Sequence, residues 1–376
     1  MKIQIIIPFL LMCGMLCAQN PSMPYSIHWS ELPSLPPVGD QTEAIGVAGP
    51  YAGVHNDALI IAGGSNFPEP RWETAKEFHN TIWVLLKKGK DTLEWINGGT
   101  LPFKTGYGAC VSTPSGVLCM GGCDNQKVIR EVFLLSFDKT SKKVKYTSLA
   151  SLPKPCCNTY ATIIGSKVYI AGGQSGMDLI SAMTNFWRAD ISGIKKGVVI
   201  WEELPAWPGP PRAFNLVAAQ KNGKSTCVYV FSGRHIPGTS KVENLQDVYE
   251  FNPDKYEQIV RGKAIDSPWR RMEDVPQCVM AGTAAAVGNR YIGVFGGADV
   301  DVNISDSLKR VQPLFKKVTF AFDTYSNHWI QTGPSPMNHV TTMAVPWGKK
   351  IIIPSGEIKP RTRTPEILSI TVTIRD

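Results

Sequence analysis

Six short polar segments carry the side chains best suited to chemistry in this chain, and each one follows a pair of small residues. The segments are Ser65-Asn66-Phe67, Cys123-Asp124-Asn125, Gln174-Ser175, Arg234-His235, Ala298-Asp299 and Glu357-Ile358-Lys359. Together they supply carboxylates, amides, a guanidinium and an imidazole. If they converge on one funnel, this mixture suits a polyhydroxylated, acidic small molecule. Taken alone, the mixture favours binding over catalysis.

The element before each polar segment is an apolar run with the character of a strand. Lys167–Gly173, KVYIAGG, shows it best, because β-branched and aromatic residues lead into two glycines. Equivalent pairs have their second residue at positions 64, 122, 173, 233, 297 and 356, so successive copies are 58, 51, 60, 64 and 59 residues apart. A repeat of this length is typical of blades arranged around an axis.

Four apolar runs in each copy predict a four-stranded antiparallel meander. The sixth copy has three such runs, and Ile27–Pro36, IHWSELPSLP, has the character of the missing outer strand. We therefore predict an all-β fold, a six-bladed β-propeller in which the N-terminal strand completes the C-terminal blade and removes the exposed edges. Aromatic residues of the outer strands are expected to pack between blades, namely Trp95, Tyr146, Trp201, Trp269 and Trp329.

The N-terminus has the pattern of an export signal. Lys2 is followed by the apolar run Ile3–Ala18 and then by polar residues. This pattern predicts a signal peptide at residues 1–18, a single propeller domain at 19–376 and a periplasmic location. A lipoprotein with its lipid on Cys13 or Cys17 is the alternative. The sequence has no second long apolar segment, so stable membrane insertion is not expected.

Charge and cysteine content narrow the class of partner. The formal charge is +8, from 39 basic and 31 acidic residues, and the basic residues are dispersed along the chain. Such a surplus argues against nucleic acid and agrees with a small anionic ligand or with solubility alone. The cysteines show neither the spacing of a disulfide scaffold nor that of a metal site, so we expect no metal.

Three segments resemble the bacterial N-acetylneuraminate epimerases (sialic acid mutarotases), a family of six-bladed Kelch-type propellers. They are Ala44–Gly64, AIGVAGPYAGVHNDALIIAGG; Gly106-Tyr107-Gly108; and Ser355–Thr364, SGEIKPRTRT. The segment that opens this chain lies late in the better-known members. The resemblance therefore implies a cyclically permuted branch of the family, and such a permutation in a ring only moves the break between equivalent blades.

The resemblance implies that Glu357 is the proton acceptor and that Arg363 assists it, in a cofactor-free isomerase acting on sialic acid. A carboxylate can move the proton that a hemiketal must lose and regain when its ring opens. An arginine can hold the carboxylate of the substrate, and Arg361 is an alternative to Arg363 in that role. On local sequence alone, Glu357 could instead form an ion pair on a solvated loop.

Four further residues are candidates for substrate binding: Arg234, His235, Asn66 and Arg71. Arg234 and His235 follow the fourth small-residue pair, where a role in stabilising the loop is equally compatible with the sequence. Asn66 and Arg71 follow the best-matched segment and are expected at the lip of the funnel. The alternative function is a non-catalytic Kelch-type propeller that binds a glycan or a protein, in which Glu357 would be replaceable.

Overall fold

Six four-stranded antiparallel sheets surround one axis in the computed structural model, which describes residues 25–89, 92–299, 304–313 and 315–374. The predicted six-bladed β-propeller is confirmed. From inside to outside, the first three blades are Tyr51–His55, Ala58–Ala62, Thr81–Lys87 and Leu93–Thr100; Ala109–Thr113, Gly116–Cys123, Val128–Asp138 and Lys143–Leu149; and Tyr160–Ile164, Lys167–Ala171, Phe186–Asp190 and Ile200–Glu203. The others are Leu216–Lys221, Thr226–Phe231, Val248–Phe251 and Trp269–Met272; Thr283–Val287, Tyr291–Phe295, Thr319–Asp323 and His328–Gly333; and Val345–Trp347, Lys350–Pro354, Ile367–Ile374 and Tyr25–Leu32.

The sixth blade is closed by the N-terminal strand, as the sequence predicted. Tyr25–Leu32 pairs antiparallel with Ile367–Ile374 along its whole length. The strand begins two residues before the predicted segment and ends before the Pro33 turn. Its pairing covers an edge that would otherwise expose unpaired backbone groups. The predicted signal peptide, residues 1–18, lies outside the described residues.

A repeated tryptophan contact joins neighbouring blades at their outer strands. Four indole N–H groups donate to a backbone carbonyl of the preceding blade or of the turn that follows it: Trp95 to Pro33 at 3.1 Å, Trp201 to Ala150 at 3.1 Å, Trp269 to Pro205 at 2.8 Å and Trp329 to Glu273 at 3.0 Å. Each ring thus covers apolar surface and satisfies its own donor. The sequence-based expectation that these residues are structural agrees with this geometry.

A closed ring of six backbone hydrogen bonds surrounds the axis just before the innermost strands. One residue from each blade adopts a positive φ, between 52° and 64°, and donates its N–H to the equivalent residue of the preceding blade at 2.6–2.8 Å. The six residues are Gly49, Tyr107, Asn158, Phe214, Ala281 and Thr341. Only one of them is glycine, so five side chains are held in a backbone region that such residues rarely adopt. This ring was not predicted from the sequence, because its six residues share no residue type.

The small-residue pairs bring the polar segments to a common level. The first residue of every pair has a positive φ, including Ser232 (57°) and Ser355 (52°), where serine replaces glycine. The hydroxyls of these two serines accept the backbone N–H of Val279 and Val47, each at 2.9 Å. The residue after each pair then bridges to the segment that leads into the axial ring, in all six blades. Geometry therefore supports the predicted convergence on one funnel.

Three insertions extend the blades at this end of the axis. Short hairpins follow the small-residue pairs of the first, fourth and sixth blades: Ser65–Asn66 with Glu77–Phe78, Arg234–His235 with Glu243–Asn244, and Glu357–Lys359 with Thr362–Arg363. Two helices, Pro253–Val260 and Asp306–Val311, and two 3-10 turns, Leu179–Ser181 and Ile194–Lys196, lie in other loops. Within the described part of the chain, no helix has the length and apolarity needed to cross a bilayer.

Candidate active site

A cavity of about 460 Å³ opens above the axial ring, and all six blades contribute to its wall. Five of the six residues that follow the small-residue pairs line it: Cys123, Gln174, Arg234, Ala298 and Glu357. The side of the cavity is partly apolar, with Phe67, Met177, Leu179, Phe214, Met280 and Phe315. This volume is in the range of small-molecule sites. The axial ring forms the floor, because five of its six residues line the cavity.

Glu357 and Arg363 face each other across the hairpin of the sixth blade. The two residues are register partners, and Arg363 Nη1 lies 2.8 Å from Glu357 Oε1. Both side chains are largely buried, with 17% of Glu357 and 4% of Arg363 exposed. The Glu357 carboxylate also accepts the backbone N–H of Arg361 at 2.9 Å. Both residues line the cavity, so the acid does not sit on a solvated loop.

The Arg363 guanidinium is held as a cation inside the protein. Burial lowers its pKa, but the charges of Glu357 and Tyr107 outweigh that effect and raise the pKa above its ordinary value. Its Nη2 donates to Tyr107 Oη at 3.4 Å, and the central carbon of the guanidinium lies 4.8 Å from the Phe67 ring centroid. Nη1 lies 2.8 Å from Glu357 Oε1, whereas Nε is buried with no hydrogen-bond partner among the described residues. A buried donor of this kind can donate a hydrogen bond to an anionic ligand.

Arg234 enters the cavity from the fourth blade with no counterion among the described residues. Its guanidinium stacks on Phe214 at 4.3 Å, and Nε is buried without a hydrogen bond. No acidic residue in the described parts of the chain lies within ion-pair distance of it. Burial lowers its pKa, and the more distant charges of Cys278 and Glu357 only partly oppose this. A guanidinium that is partly shielded from water and has no described counterion favours the binding of an anion.

Arg361 lines the cavity but is committed to structure. Its Nε and Nη2 donate to the backbone carbonyls of Arg71 and Thr74 at 2.8 and 2.6 Å, and its guanidinium stacks on Phe67 at 4.0 Å. The residue turns the hairpin with a φ of 60°. It therefore joins the loop of the first blade to the hairpin of the sixth.

Three predicted binding residues do not line the cavity. Asn66 is fully buried behind it and bonds to Gln41, Gly46 and His79. His235 points to Glu243, its partner across the short hairpin, at 3.3 Å. Arg71 is paired with Glu69 and donates to Thr362 Oγ1 at 3.1 Å. The partners of these three side chains come from loops that are distant from them or irregular in sequence. The position of a residue near a small-residue pair therefore could not predict which groups it would contact.

Other cavity residues were not predicted as site residues. Tyr107 was part of a matched segment but had no role assigned, and nothing in the sequence singled out Lys76 or Lys309. Lys76 lies 5.0 Å from the Tyr107 ring centroid.

The cavity wall carries more positive than negative side chains. Its cations are Lys76, Arg234, Lys309, Arg361 and Arg363, and its one described carboxylate is Glu357. The described residues contain no cluster of three or more His, Cys, Asp or Glu side chains that could hold a metal ion. The electrostatics therefore favour an anion.

Part of the chain is similar to the family that the motifs resemble. Residues 18–144 match the family model of N-acetylneuraminate epimerase. The resemblance is confirmed over this segment. It contains the first two matched motifs, Ala44–Gly64 and Gly106-Tyr107-Gly108, whereas Ser355–Thr364 lies outside it.

Curated relatives match over a similar part of the chain. An N-acetylneuraminate epimerase of Brucella suis is 35% identical over 130 residues, which are 31% of this chain and 32% of the relative. One from Haemophilus influenzae is 34% identical over 125 residues, or 30% of this chain and 32% of the relative. The match thus spans about a third of each relative's length.

Similarity of fold extends over nearly the whole molecule. The solved structure of YjhT superposes with a TM-score of 0.64 and covers 92% of this chain and 99% of its own, at 12% sequence identity. At that identity the superposition shows a shared propeller fold and does not extend to chemistry.

Proposed function

We propose that this protein is an isomerase that interconverts the α and β anomers of N-acetylneuraminate by acid–base ring opening. The proposal is supported by the family of the matched segment and by one feature of the cavity. That feature is the Glu357 carboxylate, which is the one acid among the described lining residues and lies 2.8 Å from the buried guanidinium of Arg363. A propeller that only binds the sugar would have no need for a largely buried acid beside this guanidinium.

Glu357 acts first as the base. It takes the proton of the anomeric hydroxyl while the bond from the anomeric carbon to the ring oxygen breaks. The electron pair of that bond goes to the ring oxygen, which gains a proton, and the open form is an acyclic 2-oxo acid. Rotation about the bond to the new carbonyl carbon and the reverse transfers close the ring on the other face. General acid–base catalysis of this kind contributes about 10²–10⁴-fold.

Arg363 holds Glu357 in place, and Arg234 holds the carboxylate of the sugar. The division follows from their partners. Arg363 is already paired with Glu357, whereas Arg234 has a buried, unpartnered Nε and no described acidic neighbour. Arg361 is tied to two backbone carbonyls. An arginine fork matches a carboxylate in two parallel hydrogen bonds.

Nuclear magnetic resonance tests the reaction directly. The α anomer, released in the tube by a sialidase, is followed as it converts to the β anomer with and without the protein. We expect conversion to accelerate in proportion to protein concentration. Heat-denatured protein is the control. Saturable binding of the sugar with no acceleration would instead support the alternative, a non-catalytic Kelch-type propeller.

We further propose that the protein is exported to the periplasm, that residues 1–18 are removed and that residues 19–376 form one domain. The support is the N-terminal pattern of Lys2 and the apolar run. Mass spectrometry of protein isolated from the periplasmic fraction tests this. A mature N-terminus after Ala18 is expected, and a lipid-modified Cys13 or Cys17 would support the lipoprotein alternative.

A further inference from the structure

Tyr107 holds an unusual place in the cavity. It belongs to the axial ring with a φ of 62°, in a region where a bulky aromatic residue is rarely found. A Cβ at the neighbouring ring position, Gly49, would lie 2.7 Å from the Tyr107 side chain, so a glycine there makes room for the phenol. Strained backbone held by its surroundings is typical of functional positions.

The phenol oxygen is joined to the acid–base pair through one guanidinium. Arg363 Nη2 donates to Tyr107 Oη at 3.4 Å, while Arg363 Nη1 lies 2.8 Å from Glu357. Tyr107 Oη is also 2.8 Å from the hydroxyl of Ser65, which is fully buried. When Ser65 and Arg363 both donate to the phenol oxygen, its own O–H remains to be donated into the cavity.

We propose that Tyr107 is the second proton-transfer residue of the reaction, delivering the proton to the ring oxygen while Glu357 removes one from the anomeric hydroxyl. This inference rests on the proposed mutarotase function and deepens it. In the step, the anomeric O–H bond breaks toward Glu357, the ring carbon–oxygen bond breaks, and the phenol proton passes to the ring oxygen. Ring closure returns both protons, so the protein is reset without a co-reactant.

Arg363 can stabilise a negative charge on Glu357 before the proton transfer and on Tyr107 after it. Opening the ring neutralises Glu357 and converts Tyr107 into a phenolate, so one negative charge moves from one side of Arg363 to the other. The same cation is in contact with both sites. Lys76 lies over the Tyr107 ring at 5.0 Å and adds a second positive charge. Because these positive charges are already in place near both the proton acceptor and the proton donor, they do not have to move during the reaction.

The pH dependence of the rate distinguishes a proton-transfer tyrosine from a structural one, because replacing a structural tyrosine would not change the shape of the pH–rate profile. The groups facing Tyr107 that carry charge or titrate are Lys76, Cys123, Cys157, Glu357 and Arg363. A phenol that must be protonated gives the rate an alkaline limb. In Tyr107→Phe we expect kcat to fall by about 10²–10³-fold with KM within about threefold, and the limb to disappear.

Two variants keep the test decisive. Tyr325→Phe, at a half-exposed tyrosine on a distant turn, is the matched control and should exchange anomers like the wild type. A fluorinated tyrosine at position 107 lowers the pKa of the phenol and should move the alkaline limb to lower pH, even if Tyr107→Phe fails to fold. Wild-type kcat in folded Tyr107→Phe, or an unmoved limb in the fluorinated protein, would overturn the assignment. A wild-type protein without activity would instead overturn the proposed function and this inference with it.

Discussion

Three arginines reach the cavity, and each is held by a different kind of partner. Arg361 donates to backbone carbonyls, Arg363 faces a carboxylate, and Arg234 stacks on Phe214 with an unpartnered Nε. Position in the chain did not separate these roles, because the backbone partners of Arg361 come from the first blade and the Phe214 partner of Arg234 lies about 20 residues before it. The Glu357–Arg363 contact could be anticipated, since both residues belong to one matched motif and one hairpin.

Replacing Arg234 tests its assignment as the substrate clamp. Arg234→Ala should raise KM by about 10–100-fold, the effect of losing a charge-assisted interaction of roughly 1.5–3 kcal/mol, with a smaller change in kcat. Steady-state anomer exchange at increasing sugar concentration measures both constants. Arg71→Ala, which alters an arginine outside the cavity, is the control. An unchanged KM in Arg234→Ala would exclude the clamp.

His339 should make folding stability fall in mild acid. Its side chain is fully buried, and neither ring nitrogen has a hydrogen-bond partner among the described residues, although Nε2 lies 3.7 Å from Glu366 Oε2. Burial lowers the His339 pKa from 6.5 to about 4, and the Ser355 backbone opposes this change. The unfolded chain therefore binds the proton more tightly, and stability is lost as pH falls from 6.5 towards 4, by about 3 kcal/mol at most.

Urea unfolding at several pH values measures this dependence. His339→Gln, which cannot gain the charge, should show a shallower loss of stability over that range than the wild type. His28→Gln removes an exposed histidine and should leave the slope unchanged. Parallel slopes for the wild type and His339→Gln would show that another group is responsible.

At the scale of elements, much of the fold followed from repetition. The spacing of the small-residue pairs identified the six blades, and Ser232 and Ser355 fit because their hydroxyls bond to the backbone while their φ stays positive. The short hairpins and the helix Asp306–Val311 occur in some blades only, so no repeat predicts them. The binding roles expected of Asn66 and His235 depended on these insertions.

Two glycines with the same backbone conformation separate strain from lack of space. Gly121 and Gly165 have φ values of 63° and 59°. A Cβ at Gly121 would collide with the Cys156 carbonyl oxygen, whereas one at Gly165 meets no described atom within 4 Å. Gly165→Ala should cost about 1–2 kcal/mol of unfolding free energy from backbone strain alone. Gly121→Ala should cost at least about 1–3 kcal/mol more, because backbone must also shift. Equal costs in urea unfolding would contradict this account.

At the scale of the whole molecule, closure depends on one strand. Tyr25–Leu32 is remote in sequence from its partner Ile367–Ile374 and supplies a fully buried Tyr25 together with Trp29, which meets Phe295 edge-on at 6.0 Å. Full burial of a large side chain such as Tyr25 is worth roughly 1.5–3 kcal/mol, and the partly buried Trp29 adds to this. The ring of axial hydrogen bonds requires all six blades in place, so the cavity floor depends on this closure as well.

A variant that lacks residues 1–32 should unfold at a lower temperature and aggregate through the exposed edge. A synthetic peptide of residues 25–32 should restore the melting temperature when added in excess, while a peptide of the same composition in scrambled order should not. Differential scanning fluorimetry follows both. A truncated protein as stable as the full chain would show that the closing strand is dispensable.

If the largely buried Glu357 carboxylate opens the sugar ring, Glu357→Gln should slow the exchange of anomers. The measurement is the rate of α-to-β conversion of N-acetylneuraminate by nuclear magnetic resonance, with Glu203→Gln, an exposed blade residue, as the control. We predict that Glu203→Gln converts the sugar like the wild type and that Glu357→Gln is slower by about 10²–10⁴-fold. A correctly folded Glu357→Gln protein that converts the sugar at the wild-type rate would show that Glu357 does not open the sugar ring.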